Sequence, residues 1–270
     1  MAYGNFKPLV WSSHIQHELP KFTVFEPDCD YRFKGEAGMG KTVKILGVAR
    51  PTIGDYTGTD IGTPEIIPDS SVFLLIDQAK YFNFMVDDVD EAQATKGLMA
   101  ALMEESTRAV AEARDDYIAE LCALGASNAS SSTAVSSSEG AQALVDAALE
   151  TLWNAGVSPK DDVTMYLSPK LYRYMMAYIA SLKTDNDKLV GSGILVAYSG
   201  ARIKMSTNLY NDGTDDYSVV KTSKAVAFAS CIESVEAYRP EGLFSDAIKG
   251  LNTYGGKVVR PKELYIIKSR

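Results

Sequence analysis

Residues 35–42 read Gly-Glu-Ala-Gly-Met-Gly-Lys-Thr, the full spacing of a phosphate-binding loop, with Lys41 and Thr42 where such a loop holds phosphate and magnesium. The chemistry depends on glycine backbone wrapped around phosphates at a helix N-terminus, so a strand must precede it and a helix must follow. The residues after Thr42 are Val, Lys, Ile, Leu, Gly and Val, which favour a strand, and Gly47 and Pro51 would end a helix early. Residues 28–33 lack the apolar run of a buried parallel strand. Residues 72–77, Val-Phe-Leu-Leu-Ile-Asp, look like the apolar strand that often accompanies such a loop, but no repeated βα units surround them. The sequence therefore predicts a glycine-rich turn entering a strand. Nucleotide hydrolysis is the lesser alternative.

The other reactive residues are few. His14 and His17 are the only histidines, and no further ligand cluster accompanies them, so solvent-facing positions are expected rather than a metal site. A Ser-His-Asp or Cys-His set would have to draw on these two. Cys29, Cys122 and Cys231 are odd in number and far apart, which argues against a disulfide framework and for a reducing compartment. Asp87, Asp88, Asp90 and Glu91 read as helix-start charges. Residues 211–216 read as a hairpin turn, because Tyr210 stands where a calcium loop needs an oxygen ligand. No catalytic residue, cofactor site or metal site is predicted.

The elements that would carry such groups look unusual. The chain has 270 residues, 46% hydrophobic and 23% charged, enough to bury a real core. Its formal charge is −8, from 27 basic and 35 acidic residues, which disfavours a nucleic-acid reader. No apolar run is long enough to span a membrane, and residues 1–10 lack the pattern of a signal peptide. Residues 1–34 mix prolines and scattered aromatics, with one short helix expected over 12–19. They read as an arm that must lie against something else. Strands are expected over 42–48, 72–76 and 80–86, the last two as a pair. In the third, Phe82, Phe84 and Val86 alternate with Tyr81, Asn83 and Met85. The turn-rich stretch 51–69 between the first two suggests an extended hairpin loop, and a stretch so long is often functional.

A long helix is expected over 87–125, roughly 50 Å at about 1.5 Å per residue. Its apolar stripe runs through Leu98, Leu102, Ala109, Ala113, Tyr117 and Leu121, widened by Met99, Met103, Val110 and Ile118. Glu104 and Arg108 pair outside, and Gly125 ends it. Residues 126–138, almost all Ser, Ala, Thr and Asn, read as a mobile linker or surface loop. A helix follows, with a capping box at Ser136 and Glu139, an apolar face of Ala141, Leu144, Val145, Ala148 and Leu152, and a stop at Gly156. After a strand at 163–167, Ser168-Pro169 opens a third helix with Tyr172, Met175, Met176 and Ile179 inward. Short strands are expected at 194–198, 201–205, 217–221, 225–230, 235–238, 257–259 and 264–267.

This order of parts resembles the tailed-bacteriophage major capsid family, whose subunit has the Hong Kong 97-like fold. Residues 76–94, Ile-Asp-Gln-Ala-Lys-Tyr-Phe-Asn-Phe-Met-Val-Asp-Asp-Val-Asp-Glu-Ala-Gln-Ala, are similar to the segment leading into that family's spine helix. Residues 35–45 resemble its glycine turn entering the extended-loop strand. Residues 200–209 resemble its strand and "SNNL" region, and 225–229 and 254–261 its closing β elements. The resemblance spans nearly the whole chain, in order.

The resemblance implies an α+β fold with an N-terminal arm (1–34), an extended β-hairpin loop and strands (35–86), a long spine helix of a peripheral domain (87–125), an axial domain (126–210) and a return to the peripheral domain (211–270). It implies a subunit that is no enzyme, self-assembling into pentamers and hexamers of an icosahedral shell around double-stranded DNA. Assembly would take place in the bacterial host cytoplasm and end in the virion capsid. A separate scaffolding protein, a portal and an optional decoration protein are the other implied partners, with no membrane and no sequence-specific DNA contact. Inter-subunit contacts are expected at Trp11 in the arm and at Ile53, Asp55, Tyr56, Thr57, Thr59 and Ile61 near the loop tip. An encapsulin-type cellular compartment is the alternative within the same fold.

Overall fold

The computed structural model describes residues 21, 23–33, 42–47, 51–53, 55, 63–66, 71–87, 98–182, 195 and 197–270. The arm helix expected over 12–19, Trp11, both histidines, Lys41, Asp88, Asp90 and Glu91 lie outside them.

Residues after Thr42 form a strand, β1 (Thr42–Ile45), not a helix. It pairs antiparallel with β2 (Val72–Leu75), Thr42 facing Leu75 and Ile45 facing Val72. The helix that a phosphate-binding loop needs is therefore replaced by a hairpin. Val43, Ile45 and Leu74 are buried against Ala227 and Ala229, which anchors the hairpin's base to the body. Further out, the Thr52 amide donates to Glu65 Oε2 at 2.9 Å and the Thr52 hydroxyl to Glu65 Oε1 at 3.2 Å. These bonds tie the two limbs of the long loop together.

The expected pairing of 72–76 with 80–86 is not what forms. β3 (Gln78–Asp87) instead pairs with β10 (Ser245–Val258), which in turn pairs with β9 (Val226–Tyr238), giving a three-stranded sheet with β10 in the middle. Asp87 is the last residue of β3, so it is not a helix-start charge. The short strands expected at 225–230 and 235–238 merge into β9. Most of β10 is missed by sequence reasoning because glycines interrupt its apolar pattern. Two of them are sites of close approach: a Cβ on Gly250 would sit 2.2 Å from the Phe82 ring, and one on Gly255 would sit 2.0 Å from the Leu75 carbonyl oxygen.

Helix α1 (Leu98–Gly125) lies across this sheet on the face of Tyr254 and Gly256. The Tyr117 and Tyr254 rings meet edge to face, with centroids 5.4 Å apart, and the Gly256 amide donates to the Tyr117 hydroxyl at 3.3 Å. Its 28 residues span about 42 Å at about 1.5 Å each. The expected Arg108–Glu104 pair forms on the outside. The fully buried residues are Asp115, Ile118, Ala119 and Cys122, at steps of three and four. That face is rotated from the expected stripe, where Tyr117 and Leu121 are only half-buried.

The second layer is a six-stranded sheet in the order β4-β11-β8-β5-β7-β6. Its strands are β4 (Asn128–Ala129), β5 (Val163–Leu167), β6 (Ala197–Tyr198), β7 (Ala201–Met205), β8 (Asp216–Thr222) and β11 (Leu264–Ser269). Every residue of β5 is buried, because both faces are covered. On one face lie α2 (Ser138–Asn154) and α3 (Pro169–Ser181), packed on Met165, Leu167, Val220 and Ile267. On the other lie Phe25 and the C-terminal half of α1, packed on Tyr166, Val219 and Ile266.

Helix α2 is capped one residue later than expected: Ser137 Oγ accepts from the Gly140 amide. It ends at Gly156 (φ 97°), with the Gly156 amide on Trp153 O and the Val157 amide on Leu152 O. The Ser-rich segment 126–138 is not a loose linker in this fold. β4 pairs parallel with β11, and Ser130, Thr133 and Val135 donate in turn to the carbonyls of Ile266, Lys268 and Arg270. Small polar side chains suit an edge strand that must lie flat beside β11.

Candidate assembly surfaces

The first surface is the root of the arm. Residues 21 and 23–28 run along α1, and the Asp115 carboxylate receives them. It accepts from the amides of Val24 at 3.1 Å, Phe25 at 2.8 Å and Glu26 at 3.2 Å, and from Asn208 Nδ2 at 3.3 Å. Lys21 N donates to Glu112 at 2.9 Å, one turn earlier on the helix. Phe25 is fully buried and stacks on Tyr166 at 4.1 Å. A 3-10 turn at Glu26–Asp28 then delivers Asp28 into the body. Its carboxylate accepts from Tyr166 Oη at 2.6 Å and Lys204 Nζ at 2.5 Å, and its carbonyl accepts from the buried Lys221 Nζ at 2.6 Å.

Burial alone would raise the Asp28 pKa, but the hydrogen bonds from Lys204 and Tyr166 outweigh it and hold the carboxyl below its ordinary value. A carboxylate lowered on folding contributes stability above its unfolded pKa, and that contribution is lost as the pH falls through the folded value. The arm root should therefore be firm at neutral pH and loosen below about pH 4. Hydrogen exchange at 24–30 should accelerate over that range, and Asp28→Asn should remove the pH dependence. An unchanged profile in Asp28→Asn would assign the effect to another group. Cys29 and Cys122 are buried in the same cluster, and burial pushes their thiols up to about 11 and about 12. They are small core side chains.

The second surface is the extended hairpin. Ile53 is 83% exposed and Ile66 is 93% exposed, and Asp55 is open to solvent. Of the expected contact residues, Ile53 and Asp55 thus stand exposed on the hairpin's outer limb, outside the hydrophobic clusters of the described residues. Tyr56, Thr57, Thr59 and Ile61 lie outside the described residues. The third surface was not singled out from sequence. The three-stranded sheet exposes Tyr81 (80%) and Met85 (60%), and its β9–β10 turn exposes Phe244 (81%) beside Leu243. The clue was the alternation in β3, whose odd positions carry the large exposed side chains. A monomer rarely shows so many large apolar groups in neighbouring places without a partner for them.

Among the described residues no group of three or more His, Cys, Asp or Glu could hold a metal ion, and no helix is long and apolar enough to cross a membrane. No protein-family model matches the chain, and no curated protein matches it. Solved structures do. A chain from Mycobacterium phage Che8 is 32% identical over 98% of this chain and 98% of its own, with a TM-score of 0.85. The chain belongs to the tailed-phage major capsid family. The capsid of Cyanophage P-SCSP1u shares the fold at 18% identity, covering 98% of this chain and 93% of that one, with a TM-score of 0.80. The mature capsid of bacteriophage PhiM1 does so at 14% identity, 97% and 92% coverage and a TM-score of 0.73. The place of this chain is the virion capsid.

Proposed function

We propose that copies of this chain assemble into pentamers and hexamers that close an icosahedral shell around double-stranded DNA. Its work is self-assembly, not catalysis. The observation that carries this reading is the tied hairpin. Two limbs joined at Thr52 and Glu65 carry Ile53 and Ile66 into solvent, where no described residue of this chain covers them. We place residues 1–34 and the loop tip, 53–64, across neighbouring subunits, with Trp11, Tyr56, Thr57, Thr59 and Ile61 among the contacts. Residues 87–125 would be the spine of a peripheral domain, 126–210 the axial domain, and 211–270 the return. On that division the two domains share one sheet, since β8 and β11 lie between β4 and β5. The net charge of −8 suits a wall that encloses DNA without binding its sequence. A separate scaffolding protein, a portal and an optional decoration protein complete the set of partners. Specific interfaces usually bury about 1,200–2,000 Å², and several per subunit make weak contacts strong together.

Negative-stain microscopy of the protein expressed alone, at high concentration, tests the reading. Closed shells, rings or hexagonally packed tubes are expected. Deleting residues 53–64 should abolish them while leaving a folded subunit by circular dichroism. Normal shells from the deletion would overturn the role given to the loop.

A further inference from the structure

We infer that β3 is a self-complementary docking edge, which pairs antiparallel with β3 of a second copy across a two-fold axis. The inference rests on the shell reading above and names one contact within it. β3 is an edge strand, bonded to β10 on one side along all ten residues without a bulge. Among the described residues no backbone hydrogen bond reaches the other side between Ala79 and Val86. Edge strands in folded proteins are usually blunted by proline, a bulge, several charges or a covering element. From Ala79 to Val86 this one carries a single charge, Lys80, and no proline. It therefore presents a straight row of amides and carbonyls ready for another strand.

The side chains say which strand fits. Phe82 and Phe84 face α1 but remain half-buried, and among the described residues no strand pairs along the outer side of the edge. Tyr81, Asn83 and Met85 face away from the helix and are exposed. A two-fold axis normal to the sheet keeps the two faces in common, so each residue must oppose one of equal parity. With Asn83 on the axis, Tyr81 lies opposite Met85 of the second copy and Phe82 opposite its Phe84, each pair formed twice. At the centre the two Asn83 side chains come side by side; each Oδ1 already accepts from the Tyr238 hydroxyl of its own sheet at 3.2 Å, which leaves Nδ2 to donate across the axis. A register two residues away sets Tyr81 against Asn83 or Asp87 and breaks every one of these matches. The pattern of β3 is thus close to palindromic about Asn83, as an isologous contact requires. The result would be one continuous six-stranded sheet spanning two subunits, with α1 of both on the same face.

The test uses the full chain in assembled shells. Identical residues facing across a two-fold axis put their Cβ atoms about 4.5–5.5 Å apart, close to disulfide distance. Asn83→Cys shells, oxidised gently, should run as covalent dimers on a non-reducing gel, whereas wild-type shells with the native cysteines should not. Independently, hydrogen exchange on wild-type shells should show alternate amides between 79 and 86 slowed at least tenfold relative to the unassembled subunit. Shells in which those amides exchange at the free-subunit rate, with Asn83→Cys thiols still open to alkylation, would overturn the inference while leaving the shell reading intact. Absence of shells from the wild-type chain under any condition would instead remove the reading on which it rests.

Discussion

Gly255→Ala should prevent the subunit from folding to a soluble form. Gly255 lies in β10 where β2 crosses it, and a methyl there would sit 2.0 Å from the Leu75 carbonyl oxygen and 2.7 Å from the Ile76 Cα. Both are backbone atoms, so no side chain can swing aside. Relief requires β2 to leave β10, and β2 carries with it the hairpin base that buries Val43, Ile45 and Leu74. Overpacking usually costs about 1–3 kcal/mol where side chains can adjust, and a clash between two main chains belongs above that range. Against a total stability of about 5–15 kcal/mol, this leaves little native population at 37 °C. Gly250→Ala is the control. Its methyl would meet only the Phe82 ring, at 2.2 Å, on an open edge where the ring can turn away. Gly250→Ala should be recovered soluble with a urea midpoint near that of wild type, whereas Gly255→Ala should appear in the insoluble fraction. A soluble Gly255→Ala with a wild-type midpoint would mean that β2 is not held against β10 as described.

Asp115→Ala should release the arm. One buried carboxylate accepts from three consecutive main-chain amides and from Asn208, so its removal strands the buried donors of Phe25 and Asn208 and the part-buried amides of Val24 and Glu26. Each stranded donor costs about 1–3 kcal/mol, and the sum is reduced because the arm can peel away into water. A loss of about 3 kcal/mol is expected, together with faster exchange at 24–26 and new tryptic cleavage after Lys21. The released arm takes Phe25 from its stack on Tyr166, so shells should fail to form or form only at much higher concentration. Asp115→Asn keeps one accepting oxygen and should fall between. If exchange at 24–26 is unchanged in Asp115→Ala, the carboxylate is not what aims the arm.

Much of this architecture was legible because local signals agreed with the fold. The β-branched run after Thr42, the alternation of Phe82, Phe84 and Val86, the apolar face of α2 and the Ser168-Pro169 start of α3 all have short-range causes. They appear in place. The illegible parts depend on distant partners. β10 hides behind glycines that exist so that Leu75 and Phe82 can come close, a reason visible only in three dimensions. β4 is made of residues that read as a linker until β11 is laid beside it. The buried face of α1 includes an aspartate, because Asp115 binds the arm's backbone, and an apolar stripe cannot predict that. The knot of Asp28, Tyr166, Lys204 and Lys221 joins residues as much as 193 apart, with no spacing to find. Of the contact residues expected near the loop tip, Ile53 and Asp55 stand where a neighbour can reach them. The β3 edge was written in the alternation, but its lack of a partner strand became visible only once β10 had claimed one side.

The position of β11 bears on the order in which these events happen in time. β11 sits between β4 and β8, and its own residues 264–269 are made well after 128–129 and 216–222. Until residue 269 has left the ribosome, β4 has no strand to lie along, one side of β8 is bare, and the surface beneath α2 lacks Tyr265 and Ile267. Contacts closed over such long sequence separations form slowly and late. A chain still being translated therefore holds an unfinished body beneath a hairpin whose exposed residues, Ile53 and Ile66, were made near the start. On the shell reading proposed above, the topology itself would delay recruitment into a growing lattice until each new subunit is whole.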